Sequence, residues 1–409
     1  MFNKKIITML CCVFIILLHT KTNFAFDATY VWSSLNESSV QANAKIATEN
    51  NNPLKLESAS AILMEQNTKT VLYNHNMHEK LRPASVTKVM TLLLIMEAID
   101  SGKIGYKDKV PCSENAAKMG GSQIWLDTTE ELTVEEMLKA ICVVSANDCT
   151  VAMAEFLSGS EELFVEQMNK KAKQLGMKDT VFKNCHGIDE DGHVTSSYDI
   201  ALMSRELLMN HPDITKYTTI WMDTLRNGTS ELVSTNKLIR NYSGATGLKT
   251  GSTSLALYNL SATATRNDLS LIAVIMKAPT TAIRFSEAKK LLDYGFNTYQ
   301  YKKFGKKHDF VQAVPVERGI DKTVDLIYEN NVGCLIKKGQ EKNIKQNISV
   351  YENISAPIAA GDKLGEVTFS IGNSEIAKIN LIAKSNVKKI GTWEFITYTL
   401  THWMSLCRA

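Results

Sequence analysis

Two long apolar strands around the polar turn Arg266-Asn267-Asp268 constrain the fold more than any other part of the chain. The segment reads ALYNLSATATRNDLSLIAVIMKA, and both halves have the composition of antiparallel strands joined by a short hairpin turn. The next segment, TAIRFSEAKKLLDYGF, has a helical period. This part of the chain therefore predicts an antiparallel sheet covered by a helix.

The preceding part of the chain supplies more strands and several helices. ASAILMEQNTKTVLYNHN predicts two strands around the polar turn QNT. SVTKVMTLLLIMEAIDSGK predicts a buried helix that stops at Ser101. TVEEMLKAICVVSANDCTVAMAEFLSG predicts one or two more helices, the first starting with a capping box of Thr133 and Glu136. These segments predict a mixed fold of α and β layers.

The pattern changes after about Lys307. Short alternating strands separated by Gly, Asn and Asp turns predict a small all-β domain. The last segment, GTWEFITYTLTHWMSLCRA, returns to a helical period, and its apolar side consists of Trp393, Ile396, Leu400, Trp403, Met404 and Cys407. Such a helix suits the surface of a membrane, where Lys388 and Lys389 would meet anionic lipid. The alternative is a helix docked on the protein itself.

The first residues have the layout of a secretory signal. Lys4 and Lys5 precede the apolar run 6–18, and the small residue Ala25 stands where a peptidase would cut. The run is short for a spanning helix, and an uncleaved N-terminal anchor is the alternative. With either outcome the rest of the chain is expected to be exported, to the outer face of the cytoplasmic membrane or the cell wall. Residues 1–25 are then the signal, and the polar stretch 26–53 is a spacer.

Composition excludes several other classes of protein. The chain has 409 residues with 44% hydrophobic and 22% charged residues, which is typical of a globular protein of two or three modules. A net charge of +3 is too small to indicate a nucleic-acid partner. The cysteines beyond the signal form no Cys-x-x-Cys pair. Cys142 and Cys149 would stand roughly 10 Å apart on a single helix, so we interpret them as small buried hydrophobic residues.

Ser85 and Lys88 form a Ser-x-x-Lys pattern at the start of the predicted buried helix. This pattern occurs four times in the chain, but only here do the serine and lysine share a face at the mouth of a buried helix. SAN follows at Ser145, at a break between two helical runs, and KTG follows at Lys249, on a strand at the start of the long hairpin. Serine enzymes that react with penicillin carry these three patterns in this order.

The first two patterns supply a nucleophile and proton transfer. A serine hydroxyl becomes nucleophilic when a neighbour removes its proton. Lys88, buried and close to a second lysine, is expected to have a lowered pKa and to act as the base for Ser85. Ser145 can relay the proton towards a leaving amine. Asn147 can hold a substrate amide, because its side chain both donates and accepts.

The third pattern supplies substrate recognition. Lys249 and Thr250 offer a positive charge and a donor to a substrate carboxylate. Gly251 is expected to let a ligand backbone approach the strand closely. The backbone N–H groups of Ser85 and Ser252 are expected to form an oxyanion hole.

From about Leu56 to its C-terminus the chain resembles the low-molecular-weight penicillin-binding proteins, which are serine-type D-alanyl-D-alanine carboxypeptidases. MGGSQIWL, FKNCHGIDEDGHVTSSYDIALMS and TNKLIRNYSGATGLKTGSTSLALYNLSATA look like landmarks of this family. The resemblance implies an α+β fold: a β-lactamase/transpeptidase-like catalytic domain with helices on both faces of an antiparallel sheet. It places this domain at 54–306, the all-β domain at 307–387 and an anchoring amphipathic helix at 388–409.

The resemblance also implies an activity. The enzyme would remove the terminal D-alanine from peptidoglycan stem pentapeptides through an acyl-enzyme on Ser85, and β-lactams would inhibit it covalently. Arg284 would help to bind the terminal carboxylate, with a surface arginine as the alternative. No cofactor is implied, and a monomer is expected. The GLKTGSTSLALYNLSATA segment resembles the sporulation-associated branch of Gram-positive bacteria.

Some features depart from the family or point elsewhere. Cys149 and Cys185 stand where the family usually has alanine and proline, and we interpret both as tolerated packing changes. The segment CHGIDEDGH lacks the spacing of a calcium loop or zinc site, so no metal is expected at Asp189, Asp191 or His193. Asp199 is expected to anchor this loop.

Three alternative functions stay open at this point. A class A β-lactamase would need a Glu-x-x-Leu-Asn segment between Ser145 and Lys249, and the chain has none there. A catalytically weak protein that binds penicillin or the wall would keep the same pocket. A transpeptidase would pass the acyl group to an amine instead of water.

Overall fold

The structure is a computed structural model that describes residues 54–391 and 396–397. The predicted signal at 1–25, the spacer at 26–53 and most of the amphipathic helix at 388–409 lie outside the described residues, so all three stay predictions. Among the helices that are described, none is both long and apolar enough to cross a membrane.

The helices lie almost entirely in the first three quarters of the chain. In chain order they are α1 Lys88–Asp100, α2 Glu114–Ala117, α3 Val134–Val143, α4 Asn147–Ser158, α5 Glu161–Gln174, α6 Ser197–Asn210, α7 Thr215–Thr218, α8 Leu238–Asn241 and α9 Thr281–Thr298. A 3-10 turn, Ala84–Thr87, leads directly into α1.

The strands divide into an early and a late group. The early strands are β1 Ser60–Glu65, β2 Val71–His75, β3 Lys109–Pro111, β4 Glu131–Thr133, β5 Met222–Leu225, β6 Ser230–Val233, β7 Ala245–Thr253, β8 Leu257–Arg266 and β9 Leu269–Ala278. The late strands are β10 Tyr299–Gly305, β11 Phe310–Pro315, β12 Thr323–Tyr328, β13 Val332–Lys337, β14 Ile344–Val350, β15 Lys363–Ile371 and β16 Ser374–Ala383.

An antiparallel sheet with the order β2-β1-β9-β8-β7 forms the centre of the catalytic part. The predicted long hairpin is confirmed as β8 and β9, which pair up to Arg266 and Leu269. The turn between them is Asn267-Asp268, with φ of 48° and 66°. Two consecutive residues with positive φ match the twist of a two-residue hairpin, and Asn and Asp tolerate that conformation best after glycine. The predicted pair β1 and β2 is confirmed as well.

Both faces of this sheet are covered, as the sequence predicts. Side chains alternate along each strand, so Ile62 and Val274 pack on one side with α1 and α6, in the larger apolar core. Leu63 and Leu271 point to the other side and pack with Leu291 of α9 in a second core. The helix that follows the hairpin therefore covers the sheet, and the buried helix α1 lies on the opposite face.

The SAN segment separates two helices, α3 and α4, whereas the sequence alone predicted one or two helices here. Thr133 and Glu136 form the predicted capping box at the start of α3. Cys142 lies near the end of α3 and Cys149 lies in α4, so the two cysteines are on different helices. Both are buried, as predicted, and both are free thiols. Burial raises the pKa of Cys142 to about 12.

Between residues 299 and 391 the chain is built from strands, with one 3-10 turn at Glu341–Asn343. Five strands form a sheet in the order β11-β12-β16-β15-β14, which has its own apolar core. This confirms the predicted all-β module. β10 pairs with β13, so strand pairing within the late group begins at Tyr299. The domain boundary between 306 and 307 stays a prediction.

Candidate active site

Ser85 lies in the 3-10 turn before α1, and Lys88 is the first residue of that helix. The Nζ atom of Lys88 lies 3.0 Å from Ser85 Oγ, 2.6 Å from Asn147 Oδ1 and 2.7 Å from the carbonyl oxygen of His186. Lys88 is completely buried. The structure therefore brings the predicted nucleophile and base into direct contact.

The charge state of Lys88 follows from its surroundings. Burial removes water from the ammonium group and Lys249 repels its charge, so the pKa of Lys88 falls well below its usual range. A neutral amine keeps two N–H groups and one lone pair. The N–H groups match the oxygens of Asn147 and His186, which leaves the lone pair for the hydroxyl of Ser85.

Two glycines hold the nucleophile turn in place. Gly187 has a φ of +92°, and a Cβ atom there would lie 2.0 Å from the carbonyl oxygen of Ala84. A Cβ atom on Gly251 would lie 2.9 Å from the backbone nitrogens of Ser85 and Val86. The side of Gly251 on which a Cβ atom would stand is therefore filled by the turn that carries the nucleophile. The expectation that Gly251 lets a ligand backbone approach the strand closely stays a prediction.

Ser145 occupies the break between α3 and α4 with a φ of 67°. Only 4% of the surface of Ser145 is exposed to solvent. Its hydroxyl finds no hydrogen-bond partner among the residues that the structure describes. A buried hydroxyl without a protein partner is unusual. The predicted relay of a proton through Ser145 stays a prediction.

Asn147 connects the base to the opposite wall of the site. Its Oδ1 accepts from Lys88, and its Nδ2 donates to the carbonyl oxygen of Gly120 at 2.7 Å. Its backbone nitrogen donates to the carbonyl oxygen of Ser122 at 2.7 Å. One N–H of the side-chain amide is left over for a ligand. The predicted binding of a substrate amide stays a prediction.

The KTG residues lie on β7, the edge strand of the central sheet. Lys249 is buried, and burial, more than the nearby Arg284, lowers its pKa to about 7. Its Nζ donates to the carbonyl oxygen of Thr250 at 3.0 Å. The hydroxyl of Thr250 lies 2.7 Å from that of Thr235. Lys249 therefore changes charge close to neutral pH.

Arg284 is not a surface residue, although it lies in the first turn of α9. It is 6% exposed, and its Nη1 donates to the carbonyl oxygens of Gly251 and Asn259, both at 3.3 Å. Its guanidinium lies 5.6 Å from the ring centre of Tyr258. Burial lowers its pKa to about 10, so it stays charged at neutral pH. These contacts fix a positive charge beside β7, while its role in carboxylate binding stays a prediction.

Sequence reasoning did not find His186. Its carbonyl oxygen accepts from Lys88, and its ring accepts from the backbone nitrogen of Ile188 through Nδ1 at 3.1 Å. Burial and the neighbouring Lys88 lower the pKa of His186 to about 3, so the ring is neutral and adds no charge next to the base. The segment FKNCHGIDEDGH was noted as a family landmark, but a contact made by a backbone carbonyl leaves no signature in a sequence.

The loop that contains this histidine is fixed by ordinary side-chain contacts. Asp191 pairs with Arg82 at 2.9 Å, and His193 Nε2 lies 2.9 Å from the hydroxyl of Thr87. Asp199 accepts from the backbone nitrogen of Asp179 at 2.8 Å and from Thr180 at 2.7 Å. The structural role predicted for Asp199 is confirmed.

Comparison with known proteins identifies the family. Residues 45–280 match the family model described as D-alanyl-D-alanine carboxypeptidase, and residues 299–389 match the model of the C-terminal domain of penicillin-binding protein 5. The chain belongs to the D-alanyl-D-alanine carboxypeptidase family. Among curated relatives, the carboxypeptidase DacF of Bacillus subtilis is 46% identical over 85% of this chain and 90% of its own length. The carboxypeptidase DacC of Escherichia coli is 32% identical over 84% of this chain and 88% of its own.

Solved structures of penicillin-binding proteins have the same fold as this carboxypeptidase family member. Penicillin-binding protein 5 from Haemophilus influenzae is similar with a TM-score of 0.72 and 31% identity, covering 82% of this chain and 98% of its own. Penicillin-binding protein D2 from Listeria monocytogenes, solved with ampicillin bound, has a TM-score of 0.55 and 30% identity. It covers 59% of this chain and 99% of its own. The resemblance inferred from the sequence is thus confirmed, as is the penicillin-binding protein fold with a C-terminal β domain.

Proposed function

We propose that this carboxypeptidase removes the terminal D-alanine from peptidoglycan stem peptides with Ser85 as nucleophile and Lys88 as base. One observation carries the assignment: Lys88 Nζ lies 3.0 Å from Ser85 Oγ, in surroundings that lower the pKa of the lysine. A base needs a lone pair within hydrogen-bond distance of the proton that it takes. Lys88 has both.

Acylation begins when Ser85 Oγ attacks the carbonyl carbon of the penultimate D-alanine and its proton passes to Lys88. The N–H groups of Ser85 and Ser252 stabilise the oxyanion that forms. The bond to the terminal D-alanine then breaks, and its nitrogen takes a proton from Lys88 through the unpartnered hydroxyl of Ser145. The products are free D-alanine and an ester on Ser85.

Hydrolysis of the ester completes the cycle. Lys88 has given up its proton and can take one from a water molecule that attacks the same carbonyl carbon. Ser85 leaves with a proton and is restored. The alternative transpeptidase reaction differs only in the acceptor, since an amine would take the place of water.

Recognition of the terminal carboxylate falls to Lys249, Thr250 and Arg284. Arg284 is charged at neutral pH and Lys249 carries a proton below about pH 7. Charged donors of this kind bind a carboxylate more strongly than neutral ones. Lys249 lies on β7 and Arg284 donates to it at Gly251, so the carboxylate would lie along the edge strand while the scissile bond lies over Ser85.

Several finer assignments belong to the same proposal. β-Lactams acylate Ser85 and inhibit the enzyme, which is consistent with the ampicillin-bound structure of the Listeria relative. The protein is exported, lies on the outer face of the cytoplasmic membrane or in the wall, and meets the membrane surface through its C-terminal helix. It acts as a monomer without a cofactor or metal. A sporulation role belongs to the same proposal and is supported by the GLKTGSTSLALYNLSATA segment, which resembles the sporulation-associated branch.

The test combines labelled penicillin with a peptide substrate, using protein trimmed of the signal and the C-terminal helix. Penicillin is expected to label Ser85, as mapped by mass spectrometry, and D-alanine is expected to be released from diacetyl-Lys-D-Ala-D-Ala. Ser85→Ala should lose both. Ser286→Ala is the matched control, because Ser286 starts another Ser-x-x-Lys sequence but lies exposed on α9.

Other outcomes would identify a different function. Labelling without release of D-alanine would indicate a penicillin- or wall-binding protein. Repeated rapid hydrolysis of penicillin would indicate a β-lactamase. Transfer of the acyl group to an added amine in preference to water would indicate a transpeptidase.

A further inference from the structure

Trp125 is the most exposed large apolar side chain among the described residues, at 76%. Its backbone has a φ of 54°. A bulky residue with positive φ is strained, and an exposed indole forgoes the free energy of burial. Trp125 therefore combines a strained backbone with an indole whose free energy of burial is not used. Strain of this kind persists only where the surrounding structure enforces it, and it is concentrated at functional sites.

The backbone around Trp125 is held from two sides. Asp148 is completely buried, and its Oδ2 accepts from the backbone nitrogens of Ile124 at 3.0 Å and Leu126 at 3.1 Å, the two neighbours of Trp125. Arg226 donates to the carbonyl oxygens of Ile124 at 3.0 Å and Trp125 at 3.4 Å. The peptide units on both sides of the tryptophan are therefore fixed.

Further contacts make this support rigid. Arg226 binds Glu130 through two hydrogen bonds, of 2.5 Å and 2.7 Å. With the Gln123 amide oriented so that its nitrogen donates to the carbonyl oxygen of Met119, its oxygen accepts from the Trp125 indole N–H at 3.3 Å. The indole ring is therefore held in a fixed orientation although it is exposed. A tryptophan that is exposed by chance does not need such a contact.

This support is continuous with the active site. Asp148 directly follows Asn147, the residue that contacts the catalytic base. The backbone nitrogen of Asn147 donates to the carbonyl oxygen of Ser122, three residues before Trp125. Three residues of extended chain span at most about 10 Å, so the Trp125 backbone lies within about that distance of Ser122. The backbone of Trp125 therefore lies at the Asn147 side of the active site, which we call its rim.

We propose that Trp125 is a specificity-determining residue that packs against the side chain of the diamino acid preceding the two D-alanines of the stem peptide. This inference rests on the proposed function. Successive residues of an extended peptide are about 3.3 Å apart, so the diamino acid lies within reach of the rim while the glycan is several residues further away. An indole face suits the long aliphatic stem of such a side chain and the amino group at its end.

The experiment compares two peptides that differ only at this position, acetyl-Gly-D-Ala-D-Ala and Nα-acetyl-Lys-D-Ala-D-Ala, which keeps a free side-chain amino group. For Trp125→Ala, kcat/KM of the lysine peptide should fall roughly tenfold, the scale of a lost apolar contact of this size. The value for the glycine peptide should stay unchanged. Trp125→Phe should keep most of the preference for lysine, because it retains an aromatic face.

Met222→Ala is the matched control, since Met222 is a 60% exposed apolar residue on β5 and should leave both values unchanged. Trp125→Gln, with a polar side chain at an exposed position, repeats the test in a variant that should fold normally. Equal losses on both peptides, or no loss on either, would overturn the assignment while leaving the proposed function intact. Wild-type protein that released D-alanine from neither peptide would overturn the proposed function and this inference together.

Discussion

Lys88 and Lys249 are both buried lysines with lowered pKa values, but the proposed mechanism requires opposite charge states of their amino groups. Lys88 must be neutral to accept a proton, and Lys249 must be charged to attract a carboxylate. Burial acts on both, and Lys249 adds repulsion at Lys88. The pKa of Lys88 lies well below its usual range, and the pKa of Lys249 is lowered to about 7. Activity therefore requires Lys88 without its extra proton and Lys249 with it.

The first prediction concerns the pH profile of kcat/KM, which reports groups of the free enzyme. Activity should rise with pH as Lys88 loses its proton, and fall above about pH 7 as Lys249 loses its charge. Lys249→Arg keeps the charge, so the alkaline limb should move to higher pH. The measurement is release of D-alanine from diacetyl-Lys-D-Ala-D-Ala across the pH range.

Lys237→Arg is the control for Lys249→Arg, because Lys237 is exposed. The same change at Lys237 should leave the pH profile of kcat/KM unchanged. An alkaline limb that stays in place in Lys249→Arg would contradict the assignment.

At the scale of single residues, some contacts of the active site can be predicted from the sequence and others cannot, each for a physical reason. The pair Ser85 and Lys88 is predictable, because positions i and i+3 at the start of a buried helix share a face. The approach of Asn147 to Lys88 is not, since it depends on how α4 packs against α1. His186 contributes a carbonyl oxygen, which every residue possesses, so no residue type marks it.

At the scale of elements, the nucleophile turn Ala84–Thr87 is held between a loop and a strand. Gly187 contacts it from the loop before α6, and Gly251 contacts it from β7. Neither contact is local in the chain. Helix α1 and strand β7 can be predicted separately from their sequences, but the need for glycine at both positions becomes visible only when the elements are assembled.

A substitution at Gly187 tests this arrangement. Gly187→Ala would place a Cβ atom 2.0 Å from the carbonyl oxygen of Ala84, so the turn must shift and Ser85 must move away from Lys88. We expect acylation by labelled penicillin to slow by at least about 100-fold, the scale of a displacement of about 1 Å in a catalytic group. Gly192→Ala is the matched control. Gly192 has a similar φ of +80°, but its added Cβ would meet only the flexible end of Lys183, at 3.3 Å.

Comparable acylation rates in the two glycine variants would show that backbone strain, and not the contact with the nucleophile turn, determines the effect.

At the scale of the whole molecule, the site and the late strands are separate. Each residue assigned to catalysis or substrate binding lies between Ser85 and Arg284. Most of the late strands pack in a core of their own, built from residues 314–387, while Tyr299 at the start of β10 belongs to the second core, beneath α9. The change from helices to short alternating strands predicts this module, but the pairing of β10 with β13 has no local signature and was not predicted.

A truncated protein that ends at Tyr299 should therefore keep its active site. Tyr299 is retained because it is buried in the core beneath α9. Since distant groups without shared contacts contribute independently, acylation by labelled penicillin should stay within about twofold of the longer protein. Ser85→Ala in the same truncated form is the control. A much slower acylation would show that the β module shapes the site.

The position of β7 has a consequence beyond catalysis. β7 is an edge strand, and an open edge can pair with a strand of another molecule and start aggregation. Here the nucleophile turn packs directly against Gly251 in the middle of that strand. Because this turn covers the middle of β7 on one face, we expect a single peptide strand to reach the edge more easily than a broad sheet from a second protein. The turn that positions the nucleophile would then also limit self-association through this edge.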